Sequence, residues 1–324
     1  MARTAKLTIL GYHNVTPTAT SDFPIDVGIR GFRSQLDALA RHANVVPIGH
    51  ALRTLEQGGT LPPRAVSITV DDGYRDALEV VAPLLEHYGL PATFFVVPGF
   101  IDGTCDAWWE TLGWALMSST RRDVTWRGGR FPLSRRGQRV SALASLCERL
   151  KSLDRAAREQ AVEDLVGVLA PVGEPPRGAL FLDWDGCREL ARRGFEIGSH
   201  SATHEILANE DPEDQAKDLQ WAREIIESHV DGPVELLAYP NGRFVDYSGV
   251  TIRAAHAAGY RYAVTTEHGV NDPTTPPFEL RRVVVSPLLG AAGLLKTIAQ
   301  LVLAPVRTRR RVDIAPTTRA EAIQ

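Results

Sequence analysis

Four short apolar runs in this chain each end at a residue able to bind a metal or move a proton. Lys6–Leu10 runs into Gly11-Tyr12-His13 and Ala65–Val70 into Asp71-Asp72-Gly73. Phe195–Gly198 leads to His200, and Glu235–Ala238 to Tyr239-Pro240-Asn241-Gly242. Segments of helical period lie between and after them, at Asp76–Tyr88, Trp184–Arg193, Asp214–His229 and Val250–Ala258. Short buried strands alternating with amphipathic helices are the pattern of βα units around a parallel sheet. In a closed α/β barrel the side chains just past the strand C-termini converge on one face. The pattern therefore predicts that His13, Asp71, Asp72, His200 and Asn241 meet at one mouth.

A chain of 324 residues can form one large barrel or two small domains. We read one barrel over 1–285, interrupted at about 102–177, and a C-terminal segment over 286–324. The interruption opens with Trp108-Trp109-Glu110, carries an arginine-rich patch from Arg121 to Arg139, and continues as one long helical pattern from Val140 to Leu169. Pro171, Pro175 and Pro176 close it. Because the βα rhythm resumes at once, it reads as a helical insertion over one mouth of the barrel. The last two strands are expected at Tyr262–Thr265 and Leu280–Val285.

With 44% hydrophobic and 23% charged residues and a formal charge of -3, the chain gives no reason to expect a nucleic-acid partner. Cys105, Cys147 and Cys187 are too few and too far apart for a disulfide framework or a zinc ribbon, and fit a reducing compartment. The apolar stretch before Tyr12 is too short for a secretory signal. The expected location is cytoplasmic. Leu288–Ala304, broken by Lys296 and Gln300, falls short of the roughly 18 apolar residues of a membrane span. Followed by Arg307, Arg309, Arg310 and Arg311, it has two readings. One is an amphipathic helix over 288–311 touching the inner face of the cell membrane. The other, which we favour, is a helix packed on the barrel with a solvated tail.

The chemistry concentrates in two places. His200 and His204, spaced i and i+4, would share one face of a helical turn and could bind one divalent ion. A third ligand is needed, and Asp72 is the best-placed carboxylate. Asp71-Asp72-Gly73 could be a plain turn. However, two adjacent carboxylates at a buried strand end repel one another, and a nearby cation relieves that. Since consecutive side chains diverge, Asp72 can hold metal while Asp71 acts as general base.

Thr69-Val70-Asp71-Asp72-Gly73 resembles the T-F-D-D-G motif of the NodB-like polysaccharide deacetylases (carbohydrate esterase family 4), with Val for Phe. His200-Ser201-Ala202-Thr203-His204 matches their H-[ST]-x-x-H motif. The resemblance covers roughly Ile9 to Val285. It implies a distorted (β/α)7 barrel with the helical insertion and C-terminal helix appended, one divalent ion, usually zinc, on Asp72, His200 and His204, and Asp71 as base.

Two elements of that family differ here. Its R-x-P-[YF] motif reads Ala238-Tyr239-Pro240-Asn241-Gly242, without the arginine that orients the base. Asn241 can still offer its backbone N–H to an oxyanion. Arg282 resembles the arginine of the L-P-R motif on the last strand of exopolysaccharide-type members, and we expect it to hold Asp71. The late L-x-H that supplies the acid is missing from Val283 to Pro287. Instead, Tyr12-His13 resembles the opening Y-H of the exopolysaccharide-deacetylase-like subgroup, so His13 is the candidate acid. Tyr239, Trp108 and Trp184 are candidates for contacting a sugar, with Trp109 beside them.

The expected reaction is hydrolysis of the N-acetyl group of an N-acetylhexosamine unit in a glycan or lipid-linked glycan precursor. An O-acetyl esterase, another amide hydrolase, or a catalytically silent carbohydrate-binding barrel are the alternatives.

Overall fold

Leu7–Tyr12 (β1) and Ala65–Val70 (β2) are buried at every position, as strands covered on both faces must be. They pair in parallel from Leu7 opposite Ala65 to Tyr12 opposite Val70. That pairing closes a barrel. The computed structural model describes residues 5–16, 26–174 and 180–303. It adds Thr93–Val96 (β3), Glu196–Ser199 (β4), Leu236–Ala238 (β5), Tyr262–His268 (β6) and Leu280–Val284 (β7). All are parallel, in the order β1-β7-β6-β5-β4-β3-β2 and back to β1. The architecture is a (β/α)7 barrel. A register shift in β6 between Val264 and His268 distorts it.

Helices cover the outside. Ile29–His42 (α1) buries Phe32, Leu36 and Leu39 against the barrel. Ala291–Leu303, the C-terminal helix, packs on the same side and buries Leu294 and Ile298, each contributing about 1.5–3 kcal/mol. Gln35 donates to the Leu289 carbonyl at 2.5 Å and Lys6 to that of Val302 at 2.9 Å. The packed reading of this helix is the one seen. The basic stretch from Arg307 to Arg311 lies outside the described residues. Among the described residues no helix is long and apolar enough to cross a membrane.

The insertion differs from its sequence pattern in two ways. First, the expected single helix is two, Arg136–Leu150 (α3) and Arg155–Leu169 (α4). Asp154 starts α4 by accepting the Ala157 N–H at 2.9 Å, a side-chain cap that ends one helical run and begins the next. The break lets α3 and α4 share an apolar cluster that includes Leu143, Leu146 and Leu165, and into which Trp108–Ser118 (α2) sends Leu112 and Leu116. Second, the arginine-rich patch contains a β-hairpin, Asp123–Trp126 against Gly129–Pro132. Arg127 and Gly128 both take positive φ in its two-residue turn, as such hairpins require. Pro175 and Pro176 lie outside the described residues.

Candidate active site

The end of β2 is built for two divergent carboxylates. The Asp71 N–H donates to the Tyr12 carbonyl at 2.9 Å, continuing the β1–β2 ladder. The chain then turns sharply, with Asp72 at φ 71° and Gly73 at φ 71°. A Cβ on Gly73 would also press on Val96 Cγ1 at 3.3 Å. The turn sends Asp71 towards β1 and β7 and Asp72 towards β4. Both carboxylates are almost fully buried, at 1% and 4% exposure.

His200 and His204 follow β4, but not on a helix. Residues 200–206 form no regular element, and Ser201 and His204 both have positive φ, 63° and 58°. The expected shared helical face is therefore corrected to a tight turn. Ser201 Oγ accepts the His204 N–H at 2.9 Å. Asp218, on helix Pro212–His229, accepts the Ala202 N–H and the Thr203 hydroxyl, each at 2.9 Å. Backbone in this region is costly for a residue with a side chain, about 1–3 kcal/mol apiece. Among the described residues, four of the seven non-glycine residues with positive φ are Asp72, Ser201, His204 and Asn241. Strain is concentrated where the candidate chemistry lies.

The turn brings three donors together. Asp72 Oδ1 lies 3.4 Å from His200 Nε2 and 3.3 Å from His204 Nε2, and the three ligand atoms fall within 4.8 Å of one another. His200 Nδ1 is 2.7 Å from the Ala238 carbonyl. A carbonyl only accepts, so Nδ1 carries the proton and a neutral ring turns its Nε2 lone pair on Asp72. Asp72 Oδ1 accepts no hydrogen bond. Buried acceptors that face one another this way fit a cation held between them, and the Ala238 carbonyl is the outer partner that orients such a ligand. Two imidazoles and a carboxylate form a suitable donor set for zinc.

Asp71 is held from the other side. Arg282, itself only 1% exposed, donates Nη1 to Asp71 Oδ1 at 2.8 Å and to Thr69 Oγ1 at 3.2 Å, and Nε to the Thr265 carbonyl at 2.7 Å. Asp71 Oδ2 accepts no hydrogen bond and lies 3.9 Å from His13 Nε2 and 4.0 Å from His200 Nε2. Burial pushes the Asp71 carboxyl up, but the Arg282 guanidinium, with the His200 and His13 rings adding to it when protonated, outweighs burial and holds the carboxyl below the ordinary value. Asp72 is held well below, where burial is outweighed by the His200 and His204 rings beside it. Burial lowers His13 more than the nearby carboxylates raise it. His200 is raised, because Asp72 and Asp71 overcome its burial.

These side chains line one cavity of about 290 Å³. Trp108, Trp109, Tyr239, Asn241 and Thr266 line it too, with residues of α3 above them. Asn241 has φ 59° and its carbonyl accepts the Thr266 hydroxyl at 2.7 Å.

The sequence profile of a family described as polysaccharide deacetylase matches residues 58–263. The chain belongs to the polysaccharide deacetylase family. YxkH of Bacillus subtilis, named after the same family, is 31% identical over 106 residues, 33% of this chain and 36% of that protein. The match thus spans about a third of the curated relative's length. Among solved structures, Streptococcus pyogenes deacetylase PplD superposes with a TM-score of 0.63 at 18% identity, covering 91% of this chain and 99% of that one. A de-N-acetylase from Aggregatibacter actinomycetemcomitans gives 0.60 at 17%, covering 90% and 99%. IcaB from Ammonifex degensii gives 0.58 at 18%, covering 91% and 98%. At such identities the likeness is one of fold.

Within this deacetylase barrel the expected residues divide. Asp71, Asp72, His13, His200, His204, Arg282, Tyr239, Asn241 and Trp108 face the cavity. Trp184 does not, which corrects its expected sugar contact. It stacks on His229 at 4.1 Å and donates to Asp102 at 2.7 Å, because it opens helix Trp184–Arg192 on the barrel's outer side. Trp109 is more involved than its sequence position suggested. Its ring lies 4.7 Å from that of His204, and its Nε1 donates to the Tyr74 hydroxyl, which donates to Glu110 at 2.7 Å. Asp218 and Glu205 are site-supporting residues that the sequence does not mark. Asp218 is one of several acidic residues on its helix, and nothing local marks the side that faces the histidine turn.

Proposed function

We propose that this chain hydrolyses the N-acetyl group of an N-acetylhexosamine unit in a glycan or lipid-linked glycan precursor, releasing acetate. The observation that carries the reading is Asp71, with one oxygen fixed by Arg282 and the other unbonded, beside the Asp72, His200 and His204 trio. Those three would hold one zinc ion, which when bound supplies Lewis-acid polarisation of the acetyl carbonyl and acidification of water. Asp71, kept ionised by Arg282, takes the proton of the attacking water. The Asn241 N–H steadies the oxyanion.

His13 then delivers a proton to the departing nitrogen as the C–N bond breaks. Burial keeps the ring neutral at rest, so it receives its proton from Asp71, 3.9 Å away, during the reaction. The water proton ends on the amine. Tyr239 and Trp108 bound the sugar, Trp108 offering an apolar ring face. A cytoplasmic site of action suits three free cysteines. With Leu294 and Ile298 packed on the barrel, peripheral contact of the 288–311 segment with the membrane's inner face falls to its exposed residues, Leu288 and Leu303, 94% and 83% exposed.

The test is acetate release from N-acetylhexosamine substrates by the zinc-loaded protein. Asp71→Asn should abolish release while keeping zinc bound, and activity surviving that change would sink the mechanism.

A further inference from the structure

The insertion closes over the site, and how it is fastened limits what can enter. This inference rests on the deacetylase reading. Leu143, Ala144 and Cys147 of α3 form an apolar patch over the cavity that holds Asp71, Asp72 and the histidines, with Glu148 and Lys151 beside it. Three fastenings tie the insertion to barrel loops. Arg158 of α4, 3% exposed, forms an ion pair with Glu205, the residue after His204, and lies over the Trp108 ring with 5.6 Å from Cζ to its centre. Asn209 donates to the Lys151 carbonyl at 3.0 Å. Arg243, just past Asn241, pairs with Glu148 at 2.8 Å. The fastenings therefore span the loops after both β4 and β5. The insertion's own apolar cluster makes it a packed body rather than a loose flap.

A polymer lying across a barrel mouth needs an entrance and an exit. Here the β4 and β5 side is occupied by the fastenings, and the centre of the roof is apolar, with Glu148, held by Arg243, and Lys151 at its edge. The cavity of about 290 Å³ is also at the bottom of the roughly 300–1,000 Å³ range for small-molecule pockets. That is room for one acetamido sugar, not a run of them. We propose that the site accepts its acetamido sugar only as a small molecule or as the end unit of a chain, and does not act on internal units of a polymer.

The test gives the zinc-loaded 324-residue chain N-acetylglucosamine and N-acetylgalactosamine oligomers from monomer to hexamer. Freed amines are located by fragment-ion mass spectrometry. The expected product carries a single free amine at a terminal unit, whatever the chain length. Free amines at internal units of the hexamer would overturn the end-unit proposal and leave the deacetylase reading standing. Acetate from no member of either series, with zinc bound, would count against the deacetylase reading itself and take the end-unit proposal with it.

Discussion

Arg282 and Asp71 stand 211 positions apart in the chain and 2.8 Å apart in space, both almost completely buried. A charged pair out of water is tolerable only if its remaining hydrogen-bonding capacity is met, and Thr69 and the Thr265 carbonyl help to meet it for Arg282. Without the guanidinium, the largest influence opposing burial is lost, and the affinity of Asp71 for a proton rises. Arg282→Gln should therefore lose roughly a hundredfold or more in acetate release. The acid limb of its pH–rate profile should also move to higher pH, because the base is protonated sooner on acidification. Zinc titration should be nearly unchanged. An acid limb in the wild-type position would show that Arg282 does not keep Asp71 ionised.

His13 is assigned the proton delivered to the leaving group, so its value should depend on how much that group needs one. His13→Gln should cut hydrolysis of an acetamide about 10²–10⁴-fold. It should cost little for 4-nitrophenyl acetate, whose leaving group departs without protonation. Equal losses on both substrates would refute the acid role.

Asp218 organises the histidine turn at an electrostatic cost. Burial raises its carboxyl to about 6, against the hydrogen bonds from Ala202 and Thr203 that lower it. The folded chain thus holds this proton more tightly than the unfolded one. The group favours folding most below the unfolded value near 4, and that advantage is lost as pH rises through about 6. Asp218→Asn should flatten the decline in thermal stability between those values. It should also weaken zinc binding about tenfold or more, since an NH2 donor replaces one of the two oxygens that accept from Ala202 and Thr203. A pH–stability curve parallel to the wild type would exclude the linkage.

Arg158 and Glu205 are a buried pair between the insertion and the histidine turn. Arg158→Met should destabilise by about 3–5 kcal/mol, much of it from leaving Glu205 charged and unpaired. Combining it with Glu205→Leu should recover most of that loss in denaturant titration. A double variant no more stable than the single would show that the cost is lost packing over Trp108 rather than the stranded charge.

Much of the barrel is legible in the sequence because parallel strands buried on both faces read as short, mostly apolar, β-branched runs, as at Ala65–Val70, and because the chemistry stands at their ends. Asp71, Asp72, His200 and His204 are visible for the same reason. Their local geometry is not. An i, i+4 histidine pair suggests a helix, yet Ser201, Asp218 and two positive φ angles hold this one in a turn. The split between α3 and α4 is hidden likewise, since Leu143 to Leu169 keeps helical spacing on both sides of the Asp154 cap.

By itself the sequence determined which residue types stand at the strand ends, and with them the family. The family resemblance pointed to Arg282 rather than Arg281, but only the tertiary structure supplies the physical reason that Arg282 reaches Asp71. That choice depends on the register of β7 against β1, Leu10 opposite Val283, and a slip of one residue would turn the other arginine inward. It also decided that Trp184 stays outside and that the insertion roofs the cavity. The reason is physical. Strand and helix periods are written in near neighbours, whereas contacts between residues hundreds of positions apart exist only once the barrel has closed.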